Sequence, residues 1–215
     1  MEDIADELNQ KEDHSKDIAE KAVNNPQLIS ILLNLIFSDV ARIKFRSIKV
    51  LNIVSGENPE ILYPHADFFI ELLDNGNKVI MWNAMDILAN LSAVDSQEKM
   101  GDIFEKFYGF LSDESMITAG HVVDNSWKIA RAKPEFQKKI TDNLLKLENI
   151  PRDQECRSIL LGKAILSFDK YFDEIQDKEE EVISMVKRQL DSPRNATKVK
   201  AERFLKKFAH AQNVV

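Results

Sequence analysis

Apolar residues recur along this chain three and four positions apart, the spacing that places them on one face of an α-helix. Met100, Ile103, Phe104, Phe107, Tyr108 and Leu111 form one such set, and Phe136, Ile140, Leu144 and Leu147 another. No useful length alternates with the two-residue period of a strand, so the pattern predicts helices throughout. The punctuation agrees. Asn25-Pro26, Asn58-Pro59 and Ser192-Pro193 each set a capping side chain before a proline, whose missing N–H costs nothing in a first helical turn. Gly56 and Gly76 stand where helices should stop. The predicted elements are a helix near 15–24 and then pairs at 26–38 with 40–55, 59–74 with 77–92, 95–112 with 114–132, 134–148 with 153–169, and 171–190 with 193–210. Connections this short make neighbouring helices antiparallel.

Aligning the second helix of each pair on its apolar stripe, at relative positions −4, 0, +3, +4 and +7, brings out a repeat. The stripes are Ile43/Ser47/Val50/Leu51/Val54, Ile80/Ala84/Ile87/Leu88/Leu91, Ala119/Val123/Ser126/Trp127/Ala130, Arg157/Leu161/Ala164/Ile165/Phe168 and Thr197/Ala201/Phe204/Leu205/Phe208. Their central positions, 47, 84, 123, 161 and 201, lie 37, 39, 38 and 40 residues apart. An aspartate precedes each by eight or ten residues: Asp39, Asp74, Asp113, Asp153 and Asp191.

A helix pair recurring at this period, with an acidic turn and a small or apolar residue at the centre of its second helix, resembles the HEAT repeat over residues 26–210. The resemblance implies an all-α fold, a right-handed α-α superhelix of about five HEAT-like hairpins plus an N-terminal helix. It implies a single repeat domain at 15–213 behind an acidic segment at 1–14. One hairpin cannot bury both its apolar faces, so neighbours stack to share a core.

The resemblance also implies that the second helices line a concave, partner-binding face. Opposite each stripe, position +2 reads Lys49, Asp86, Asn125, Lys163 and Arg203, polar in every repeat. The stretch 84–91 is similar to the inner helix of armadillo repeats, in which a Trp and an Asn four residues apart hold an extended peptide. Asn90 matches the Asn, and Asp86 occupies the Trp place. The other repeats carry Ile53, Ile129, Ser167 and Lys207 at the matching +6 position, so no asparagine ladder is expected. With Arg42 and Arg46 from the basic run of the first repeat, the candidate partner-binding set is Arg42, Arg46, Lys49, Asp86, Asn90, Asn125, Lys163 and Arg203.

Charge sharpens that expectation. The formal net charge is −7, which repels nucleic acid and anionic membranes at long range. The second helices nevertheless sum to +11, leaving −18 on the remaining residues. A protein partner with an acidic segment therefore suits the inner face. The basic residues collect in the first repeat, at Arg42, Lys44, Arg46 and Lys49, and in the last, at Arg194, Lys198, Lys200, Arg203, Lys206 and Lys207, where they read as a polar cap. Asp86 interrupts them, so a duplex finds no continuous track. The alternative is a nucleic-acid-binding protein similar to the HEAT-like alkylated-base DNA glycosylases, a comparison that rests on Trp127 with Asp124 and Arg131.

Sequence chemistry of other kinds is sparse. The six glycines never come closer than eight residues apart, so neither a dinucleotide fingerprint nor a phosphate loop can be assembled. His14, His65, His121 and His210 have no second His or Cys at ligand spacing, and His121 with Asp124 reads as a surface hydrogen-bonded pair. Glu179, Glu180 and Glu181 point in different directions from one helix and do not converge on an ion. Trp82, Trp127 and Cys156 are expected to be packed core residues. The reading is a non-enzymatic scaffold with no cofactor and no metal. An acidic stretch at 1–10, the lone cysteine and an apolar run at 28–37 half the ~20 residues of a membrane span make the cytoplasm its expected location.

Overall fold

The computed structural model describes residues 4–175 and 177–209. Among them every regular element is helical and no strand occurs. No described helix is long and apolar enough to cross a membrane. The chain divides into two compact units after Ile103, inside a helix.

The first unit contains α1 (Ile4–Asn9), α2 (Ser15–Val23), α3 (Pro26–Leu35), α4 (Ala41–Glu57), α5 (Pro59–Leu62), α6 (Ala66–Glu71), α7 (Lys78–Leu91) and the start of α8 (Lys99–Gly109). Its centre is α4, against which α1, α2, α3 and α7 all pack. The second unit contains the end of α8, then α9 (Met116–Ala132), α10 (Gln137–Leu145), α11 (Gln154–Tyr171), α12 (Glu179–Arg188) and α13 (Asn195–Lys207). Here α11 lies between α9 and α13 and packs along both.

The apolar stripes are the core. Of the residues at −4, 0, +3, +4 and +7 in the five second helices, α4, α7, α9, α11 and α13, all are buried except Trp127, Arg157 and Leu205. Burial of each large apolar side chain contributes roughly 1.5–3 kcal/mol. Ser47 and Ser126, polar members of the stripe, are satisfied within their own helices by donating to the carbonyls of Ile43 and Val122, both at 2.8 Å.

Several boundaries differ from the sequence expectation, each for a local reason. The expected helix at 59–74 is broken into α5, a 3₁₀ turn and α6, because Pro64 has no N–H to donate and its ring crowds the preceding turn. The element at 134–148 likewise begins with a 3₁₀ turn at Pro134. The helix expected from 95 starts at Lys99, because the Asp95 carboxylate accepts from the Lys99 and Met100 N–H groups at 2.9 and 3.0 Å and caps it there. Residues 171–190 are not one helix: α11 runs on through Tyr171, a 3₁₀ turn follows, and α12 begins only at Glu179. Gly56 lies inside α4 rather than ending it.

The recurring aspartates are a register mark rather than a common cap. Asp153 does cap α11, accepting from the Cys156 N–H at 2.8 Å. The other second helices are entered through a side chain bonded two residues ahead: Ser38 to Val40, Asn75 to Asn77, Asp113 to Ser115 and Ser192 to Arg194. Serine and asparagine close this turn as well as aspartate, which is why the acidic residue itself is not needed in every repeat.

Candidate partner-binding surface

The ridge of α4 is occupied by the chain's own N-terminal segment. Leu8, on α1, is buried in the core of the first unit, and the Glu7 carboxylate accepts from the Lys21 ammonium at 2.7 Å. Beyond α1 the chain crosses α4. Arg46 donates to the main-chain carbonyls of Leu8, Gln10 and Lys11 at 2.9, 2.7 and 3.3 Å, and Arg42 to that of Asn9 at 2.6 Å. Those of Leu8 and Asn9 are carbonyls that a helix leaves unpaired at its C-terminus, those of Gln10 and Lys11 belong to the segment beyond it, and two guanidinium groups satisfy all four. Lys49 reaches the Asp13 carboxylate at 2.6 Å, with the Arg46 Nε 3.7 Å away. The Lys49 ammonium, and after it the Ser15 hydroxyl, hold the Asp13 carboxyl well below the usual carboxylate range. Three of the sequence-nominated residues, Arg42, Arg46 and Lys49, are thus brought together by one internal ligand.

Farther along the first unit, Asp86 and Asn90 lie half-buried in the seam between α4 and α7. Asn90 donates to the Ser55 hydroxyl at 2.8 Å, and Asn52 donates to Asn83 at 3.0 Å and to the Asp86 carboxylate at 3.4 Å. The seam is therefore lined by amides and a carboxylate.

In the second unit the +2 ridge is not uniformly solvated. Asn125 is only 2 % exposed and donates to the His121 carbonyl at 2.9 Å, whereas Lys163 is half-buried and Arg203 exposed. Side-by-side packing of the second helices is the cause. Gly120 and Gly162 allow the close approach: a Cβ on Gly120 would stand 3.3 Å from the Lys163 side chain, and one on Gly162 would stand 2.8 Å from the Thr197 hydroxyl. Thr197 cannot step aside, because its hydroxyl donates to the buried Ser158 carbonyl at 2.8 Å. Gly162→Ala should consequently lower stability. The helix-propensity gain of about 1 kcal/mol is outweighed by overpacking of about 1–3 kcal/mol. Gly109→Ala, where a Cβ meets nothing within 4 Å, should instead be neutral or stabilising, and chemical denaturation of the two variants tests the opposite signs.

Ion pairs in the second unit join residues about one repeat apart. Lys163 bonds Asp124, Arg194 bonds Glu155, Lys207 bonds Asp169 at 2.9 Å, and Arg188 grips Glu148 through two bonds of 2.8 and 2.6 Å. Arg152 donates to the carbonyls of Leu111, Asp113 and Glu114 and so closes the end of the preceding repeat.

The trio behind the nucleic-acid comparison is divided among different neighbours. Asp124 holds Lys163, Arg131 pairs with Glu174 at 3.0 Å, and the Lys170 ammonium lies 5.9 Å from the Trp127 ring centroid. Trp82 and Trp127 are half-buried rather than fully packed. Cys156 is also only half-buried, at the start of α11, and its thiol is pushed up by its hydrogen bond to Asp153. An open trough of about 770 Å³ lies beside α12 and another of about 530 Å³ beside α10, with Asp177 in both linings. Their cations are already engaged, Arg188 by Glu148, Lys178 by Asp142 and Glu181, and Lys138 by Asp177.

The N-terminal clamp and the two glycines escaped the sequence reading, although a signal for each was present. The acidic residues at 1–14 are complementary to the four cations of α4, and Gly120 and Gly162 stand on adjacent second helices.

No protein-family description matches the chain, and no curated protein is similar to it. Solved structures are similar. A designed armadillo repeat protein in complex with the peptide (KR)4 superposes with a TM-score of 0.56 at 14 % identity, over 95 % of this chain and 98 % of that one. An engineered protein superposes with a TM-score of 0.55 at 14 % identity, over 97 % of this chain and 98 % of that one. The fold is that of the armadillo- and HEAT-like helical repeats.

Proposed function

We propose that the chain is a non-catalytic scaffold whose second helices hold an acidic segment of a protein partner. The observation that carries this reading is the grip of α4 on residues 8–13, in which arginines take main-chain carbonyls and a lysine takes a carboxylate. Main-chain carbonyls are common to every peptide, and acidic side chains select among peptides. The similar designed armadillo repeat protein carries a bound basic peptide, which supports peptide capture as something this kind of fold can do. Here the second helices sum to +11, so the complementary peptide has the opposite sign. Asp86 and Asn90 in the first unit offer acceptors and an amide to a peptide main chain, and in the second Arg203 offers an exposed cation while Lys163 would share its ammonium between Asp124 and the partner. Arg42, Arg46 and Lys49 perform the same task on the internal segment, and Asn125 supports the ridge from beneath.

Fluorescence anisotropy tests the reading. A dye-labelled octapeptide of alternating Asp and Glu should bind at low salt, while the matching Lys-Arg octapeptide and a single-stranded oligonucleotide should not. Failure of the acidic peptide to bind rejects the proposal, and so does a tighter oligonucleotide complex with a steep salt slope.

A further inference from the structure

The ion pairs of the second unit follow a ladder, and the half-buried Lys200 has no rung in it. Lys163 reaches back 39 residues to Asp124, Arg194 back 39 to Glu155 and Lys207 back 38 to Asp169. Lys200, on α13, has Gly162 at 38 residues back, where no side chain can answer it. Its stem lies across that glycine, with Cδ 3.6 Å and Nζ 3.5 Å from where a Cβ would be. Lys163 crosses Gly120 in the same manner, but its ammonium ends on a carboxylate. Among the described residues no carboxylate or carbonyl bonds to Lys200. Burial, and then the neighbouring charges of Lys163 and Arg194, hold its amine below the ordinary lysine range, with Asp124 acting in the opposite sense.

Lys163 and Arg194 are each answered by a carboxylate, Asp124 and Glu155, and Lys200 by none among the described residues, which leaves one positive charge over within the trio. A single carboxylate balances that surplus, whereas a phosphate dianion would exceed it. The geometry points to a carboxylate-binding site at Lys200, flanked by Lys163 and Arg194, that takes an Asp or Glu side chain from an extended partner segment crossing α11 and α13. The incoming carboxylate fills the rung that Gly162 leaves empty. This inference rests on the scaffold reading above and names where in the second unit the acidic segment is anchored.

The test uses the full chain and the same Asp-Glu octapeptide. Lys200→Met keeps the stem over Gly162 and removes the charge. It should weaken binding about tenfold, as loss of a charge-assisted hydrogen bond does. Lys187→Met, an exposed cation on α12, should change binding by less than about twofold. The melting temperature of Lys200→Met should equal or exceed that of the parent, since a partly buried cation without a counter-charge is removed; if this variant melts early, Lys200→Gln takes its place in the titration. In the parent chain the NMR resonances beside the Lys200 amine should move on peptide addition. Parent-like binding by both Lys200 variants, or unmoved Lys200 resonances, overturns the site and leaves the scaffold reading standing. A parent chain that binds no acidic peptide overturns both. A phosphoserine peptide binding more than about tenfold tighter than its glutamate twin overturns the choice of carboxylate.

Discussion

Phe204→Ala should destabilise the second unit by about 3–5 kcal/mol, the range for emptying a packed phenylalanine site. Phe204 is 2 % exposed, and its ring centroid lies 5.1 Å from that of Phe172 and 4.7 Å from that of Phe208. Those three rings fasten α13 to the turn that follows α11. Aromatic pairs at such separations add about 0.5–1.5 kcal/mol beyond simple burial. Replacing Phe204 therefore removes apolar burial, leaves a cavity and breaks two ring contacts at once. Phe37, 58 % exposed, supplies the control, and its alanine variant should lose less than about 1 kcal/mol. Denaturant midpoints for the two variants check the contrast. A loss below about 1 kcal/mol for Phe204→Ala would mean that α13 is not held by this cluster.

Arg46→Ala should release the N-terminal segment, with a loss of about 2–3 kcal/mol in the free energy of docking it. One guanidinium there serves three carbonyls and stands 3.7 Å from the Asp13 carboxylate. A single hydrogen bond to a charged group contributes about 1.5–3 kcal/mol, and the freed carbonyls partly recover that loss in water. Arg42→Ala removes one exposed carbonyl bond and should cost less than about 1 kcal/mol. Amide hydrogen exchange measures the release directly: protection at α1 should fall in Arg46→Ala and persist in Arg42→Ala. Equal protection in both would show that burial of Leu8, rather than the arginine clamp, keeps the segment in place.

The fold was largely legible in the residue pattern. Helical spacing and a 37–40-residue period need only local information, because a stripe of apolar residues on a helix has to be buried against something. The stripe positions duly form the core, and its exceptions are intelligible: Arg157 and Trp127 carry polar or bulky ends toward water, and Leu205 lies on the last described helix. Helix breaks were less legible. Whether Pro64 kinks a helix or ends it depends on neighbours that no local window contains.

The surface was legible in its sign and not in its wiring. Composition along the chain placed positive charge on the second helices, and that property belongs to the sequence alone. Which cation meets which carboxylate depends on residues about one repeat apart being brought side by side. Only the packed helices decide that Lys163 is answered by Asp124, that Arg46 is answered by the segment 8–11, and that Lys200 rests over a glycine. Periodicity fixes what each helix must bury, because burial is set by residue type and spacing. Partnership is fixed by distance across helices, and ion pairing and close glycine contacts are effects of a few ångströms that no linear pattern encodes.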